Sequence, residues 1–168
     1  LREWLCEPTH DIERAAILTK IADPVLVRAA FDATLDGDDL REYWDRDWQT
    51  LVRAHSSYMI PRLLQRTRDE AVGSLNSSVI AKLLYELRGE PGIHWPEIEK
   101  DETLPSIVRI AAQFNSAVVG GIDFALLDQA ARENSRHALW TNFVEAMVTV
   151  PAWEDHVQRI CRSRDSNV

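Results

Sequence analysis

The chain has 168 residues, 45% of them hydrophobic and 27% charged, with 27 acids against 19 Lys and Arg and a formal net charge of −8. That length suits one domain able to bury a core, and that composition excludes the disordered class. The acidic balance disfavours nucleic acid, whose phosphates need a basic surface, and equally an anionic membrane surface.

Apolar residues recur at three- and four-residue spacing wherever Gly and Pro are absent, and no stretch shows the alternation of a half-buried strand. The pattern predicts an all-α fold of about nine helices in one domain, residues 1–162, with 163–168 a frayed tail. A short helix over 2–7 ends at Pro8, and a second runs over 10–22 to Asp23-Pro24. The third, 24–35, is apolar nearly all round and is expected at the centre of the core. Asp36-Gly37-Asp38-Asp39 then turns the chain, with Asp39 and Glu42 at capping-box spacing for a helix over 39–55. The next is expected over 58–75 with Pro61 near its start, where a missing N–H costs least. Asn76-Ser77-Ser78 is expected to cap a helix over 78–88, which Gly89-Glu90-Pro91-Gly92 ends. The loop Ile93-His94-Trp95 leads into a short turn at 96–102. Helices over 105–118, 123–133, 136–149 and 151–162 follow, the middle two joined or broken at Asn134-Ser135. Pro24 to Ala30 and Pro105 to Ala112 look alike and start 81 residues apart. The architecture is thus an irregular helical bundle or a short HEAT-like array of antiparallel helix pairs.

Cys6 and Cys161 are the two cysteines, with no CxxC and no Cys/His cluster at zinc spacing, so a reducing, cytoplasmic setting is expected. Charged Arg2, Glu3 and Glu7 interrupt the first segment, unlike a secretory leader. No apolar run approaches the roughly 20 residues of a membrane span.

Over 39–55, Leu40, Tyr43, Trp44, Trp48, Leu51 and Val52 form one stripe, and Asp47 and His55 fall inside it. A carboxylate on a core-facing stripe must be paired, protonated or facing a cavity. Either Asp47 meets an Arg of another helix and His55 caps a helix end, or Trp44, Asp47, Trp48, Leu51 and His55 wall a pocket. Asp32, Thr34, Asp36, Gly37 and Asp38 match the first positions of a calcium loop, but Asp39 and Tyr43 then break the pattern, and no metal is expected. Four Arg (53, 62, 66, 68) and no acid occupy 53–68. Arg62 and Arg66 are expected on the outer face, and neutralisation by the neighbouring acidic segment is the simplest outcome.

Arg132-Glu133-Asn134-Ser135-Arg136-His137 resembles the R-x4–6-H motif of HEPN-type ribonucleases, small all-α proteins in which Arg and His meet across a dimer and cleave RNA without metal. The resemblance implies catalysis by Arg132 and His137, although Glu133 stands where that family usually has Asn, Asp or His. There is no P-loop, Rossmann glycine pattern, GxSxG or HExxH, and no cofactor is implied. Two readings follow. The first is a non-enzymatic helical protein-interaction module, a scaffold, adaptor or inhibitor-type domain with a protein partner. The second is a small all-α enzyme using Arg132 and His137.

Overall fold

A computed structural model of the chain describes residues 13–21, 23–37, 40, 46–87, 89–116, 122–133, 158 and 162. Among them are eight helices and no strand: α1 (Glu13–Leu18), α2 (Pro24–Leu35), α3 (Arg46–Ala54), α4 (Ser56–Arg68), α5 (Leu75–Glu86), α6 (Trp95–Lys100), α7 (Ser106–Ser116) and α8 (Phe124–Glu133). No helix among these residues is long and apolar enough to cross a membrane. The helices expected over 2–7, 136–149 and 151–162, and the tail at 163–168, lie outside the described residues.

The start of α2 follows directly from its sequence. Asp23 takes an extended conformation, its Oδ1 accepts from the Val25 and Leu26 N–H groups at 3.0 and 3.2 Å, and Pro24 fills the first turn. Asp123 starts α8 in the same way, accepting from Ala125 and Leu126.

Helix α2 is not the centre of the core, contrary to its composition. Phe31 and Ala30 are fully buried, but Val25 is 64% exposed and Arg28 faces solvent. Helices α5 and α7 take that place. They pack most extensively on each other, and α7 also packs on α6 and α8. Ile107, Val108, Ile110, Ala111 and Ala112 of α7 are all fully buried, as are Ser77, Ile80, Ala81 and Leu84 of α5. The likeness of Pro24–Ala30 to Pro105–Ala112 stops at sequence, since α7 is enclosed and α2 is half open.

Two helix starts differ from expectation. Ser74 caps α5 through Oγ, which accepts from the Ser77 N–H at 3.1 Å, so Asn76, Ser77 and Ser78 are buried inside the first turn. Asn76 instead joins distant parts of the chain: its Oδ1 accepts from the Leu40 N–H and its Nδ2 donates to the Glu70 carboxylate, both at 3.0 Å. Helix α4 begins at Ser56, one residue after α3 ends, so Pro61 lies in the interior of the helix. His55 alone makes the break, at φ −124° and ψ 29°. Pro61 has no N–H to offer the Ser57 carbonyl four residues back.

The apolar core is one continuous cluster. Phe31 and Trp48 meet with ring centroids 6.1 Å apart and tilted by 55°, and Tyr85 meets Phe114 edge-on at 6.1 Å.

Candidate functional site

The part of the stripe on α3 is buried as its spacing implies, with Trp48, Leu51 and Val52 in the core; Leu40 is also fully enclosed but is not helical, against the expected start at 39, and Tyr43 lies outside the described residues. Trp48 is 2% exposed against Phe31 and has no face left for a ligand. Asp47 is half-buried in the first turn of α3. His55 is half-buried and makes no side-chain cap bond. Its carbonyl accepts from Tyr58 and Met59, so it serves the α3–α4 junction through its backbone. Trp44 lies outside the described residues.

Arg132 is exposed in the last turn of α8, and His137 is outside the described residues. Glu133 is tied down. It accepts from Ser106 through one carboxylate oxygen and from Gln129 at 2.8 Å through the other, clasping the end of α8 to the start of α7. Gly73 packs directly on this end. Its φ is +75°, and a Cβ there would lie 2.5 Å from the Glu133 carbonyl oxygen.

The calcium-like segment is used as helix. Asp32 and Thr34 lie within α2, where the Thr34 hydroxyl donates to the Ala30 carbonyl at 2.9 Å. Asp32 accepts from the Tyr58 hydroxyl at 2.7 Å and lies 3.2 Å from Arg62 Nε. Arg28 and Arg62 sit 4.8 and 4.9 Å from the centroid of the Tyr58 ring. The Asp32 hydrogen bond, foremost, pushes the Tyr58 hydroxyl pKa up. No group of three or more metal-binding side chains occurs among the described residues.

The four Arg of 53–68 all have partners in the fold. Arg53 donates to the Glu86 carbonyl at 2.9 Å, and Arg62 pairs with Asp32. Arg66 is not on the outer face. At 28% side-chain exposure it reaches the Gly37 carbonyl at 3.2 Å and Glu70 at 3.0 Å. Arg68 engages every nitrogen of its guanidinium: Asp101 at 2.6 Å, Thr103 at 3.0 Å and Gln65 at 3.3 Å. The Thr103 hydroxyl, with Arg68 behind it, pulls the Asp101 carboxyl down to about 2.

Three buried polar atoms, Asp32 Oδ1, Arg66 Nε and Asn115 Oδ1, have no hydrogen-bond partner among the described residues, and a larger group of polar side chains stands open at one place on the surface. The segment 92–101 runs alongside α4 in the same direction. Gly92 sits against Ser56, where a Cβ would come within 3.2 Å of Oγ, and Asp101 meets Arg68. Between them is an open groove of about 420 Å³. Its floor is Ile60, Pro61, Leu64, Ile93 and Ile98, and its rim is Ser56, Ser57, Arg68, His94, Glu97 and Asp101. Ser57, Ile60, Pro61, Leu64 and Arg68 recur at helical spacing, so one face of α4 forms the whole wall. The side chains of Ser56, Ser57, His94 and Glu97 have no hydrogen-bond or ionic partner among the described residues. Sequence reasoning missed this groove. Ser56, Ser57, His94 and Glu97 belong to no motif, and only the Pro91-Gly92 turn marks where the second wall begins.

Comparison of the chain with protein-family models, curated proteins and solved structures finds no match.

Proposed function

We propose that this chain is a non-enzymatic helical protein-interaction module that receives a segment of a partner protein in the groove between α4 and residues 92–101. The observation that carries this reading is the anatomy of the groove: four polar side chains without partners among the described residues rim an open aliphatic floor. A wet rim around an apolar centre is the anatomy of a protein interface. The shape supports a peptide over an enclosed small ligand. The groove is open, and from residue 56 to residue 68 the α4 wall is about 18 Å long. A net charge of −8 favours protein over nucleic acid. A cytoplasmic, reducing setting belongs to the same proposal.

Selection of peptides from a random display library against the full chain tests it. Ser57 is exposed, so Ser57→Tyr fills the groove without touching the core. Selected peptides should bind the wild-type chain and lose at least tenfold on Ser57→Tyr. A selection yielding nothing tighter than about 1 mM, or only peptides indifferent to Ser57→Tyr, would sink the reading.

A further inference from the structure

We propose, resting on the reading of the groove as a peptide site, that its occupant is a basic segment: an aliphatic or aromatic anchor flanked by Lys or Arg. The unpaired full charge on the rim is negative: Glu97 has no partner among the described residues. The other two charged groups, Arg68 and Asp101, pair with each other at 2.6 Å, and Arg68 has all three nitrogens engaged within the protein, so it does not answer Glu97. Pro61 removes the N–H that would lie opposite the Ser57 carbonyl in the helix. The wall carrying Glu97 is acidic beyond the groove: Glu90, Glu97, Glu99, Asp101 and Glu102 stand against Lys100 over residues 90–102. The opposite wall contributes no compensating charge. Arg62 turns to Asp32, and Arg66 to Glu70 and Gly37.

The neutral donors are the Ser56 and Ser57 hydroxyls and the His94 ring, and those at the Ser56 end suit a peptide carbonyl. The groove therefore has a direction. A backbone carbonyl of the occupant sits near Ser56, an apolar side chain lies on Ile60, Leu64 and Ile98, and a cationic side chain reaches Glu97. Like charge opposite Glu97 is penalised, which makes the rim a filter and not only an attraction.

Three acetylated, amidated hexapeptides test this on the full chain at pH 7.5 by isothermal titration. One carries Phe and Leu flanked by Lys, the second replaces each Lys with norleucine, and the third with Glu. The Lys peptide should bind about tenfold tighter than the norleucine peptide, and the Glu peptide more weakly still. Glu97→Gln should erase most of that preference, and Glu97→Lys should turn it towards the Glu peptide. Both variants change an exposed side chain with no partner among the described residues, and Ser57→Tyr should weaken the Lys peptide as a groove control. Equal binding of all three peptides, still weakened by Ser57→Tyr, overturns the basic-segment inference and leaves the interaction module standing. No binding by any of them, together with an empty library selection, overturns both.

Discussion

Asn76→Ala measures whether a single buried amide holds the two halves of this fold together. Asn76 is 8% exposed and joins the first turn of α5 to Leu40, 36 residues earlier, and to Glu70 in the preceding loop. Leu40 is fully buried, so truncation leaves its N–H without a partner and without water. A buried donor stranded in this way costs about 1–3 kcal/mol, and the small cavity left by the amide adds to that. The expected loss is about 2–3 kcal/mol, read as a fall in the urea midpoint with m unchanged. The Leu40 amide should also exchange faster with solvent, which a merely global effect would not single out. Asn76→Asp sharpens the test. It keeps the acceptor for Leu40 but sets a carboxylate against Glu70, whose charge Arg66 offsets only in part at 3.0 Å. Its pKa should rise above that of an unfolded Asp, so the penalty grows as pH climbs past about 4 and fades below it. A loss under about 0.5 kcal/mol for Asn76→Ala, with Leu40 exchange unaltered, refutes the bridging role.

Phe31→Ala should cost about 3–5 kcal/mol by chemical denaturation, because the ring is fully buried against Trp48 even though α2 is peripheral; under about 1 kcal/mol would contradict its burial. Asp101→Asn should lower stability at pH 7 by no more than about 1 kcal/mol, since Arg68 and Asp101 are about a third exposed and water screens the pair. The folded pKa of Asp101 is depressed to about 2, so its contribution is present above about 4 and lost as pH falls towards 2. Wild type and Asp101→Asn should therefore converge in melts taken across that window, and a constant gap would refute the linkage. Asp47→Asn should cost about 0.3–1 kcal/mol through the lost helix-dipole term in the first turn of α3, whereas a stabilised variant would mark Asp47 as a functional carboxylate. The purified chain should leave RNA intact, and cleavage that His137→Ala abolishes without unfolding would put the Arg132 and His137 reading first.

What the sequence made legible was set by local rules. Pro24 after Asp23 placed α2 to the residue, because a cap and a fixed φ act within one turn. The stripe Trp48, Leu51, Val52 predicted burial because its period is intrinsic to a helix. Failures came where distant parts of the chain compete for the same residue. Asn76 looked like a cap by type and position, yet Leu40 and Glu70 claim it, and Ser74 caps instead. Arg66 looked exposed by helical phase but is long enough to reach back to Gly37. Helix α2 is apolar enough for the core, but α5 and α7 take the centre because partners lie on more of their faces, which depends on contacts far apart in sequence.

The groove was illegible for a related reason. Nothing in Ser56-Ser57 or His94-Trp95-Pro96-Glu97 departs from ordinary helix-start chemistry, and each fragment alone is bland. The site arises because His55 breaks α3 from α4 in one residue, which starts α4 early and moves Pro61 into its interior. That shift removes the N–H opposite the Ser57 carbonyl on the wall that faces segment 92–101. Arg68 then closes the far end on Asp101 and removes the one cation that would have neutralised the rim. Glu97 is left on the rim as a charge without a partner among the described residues, so an apolar cleft becomes one with a preferred sign of partner.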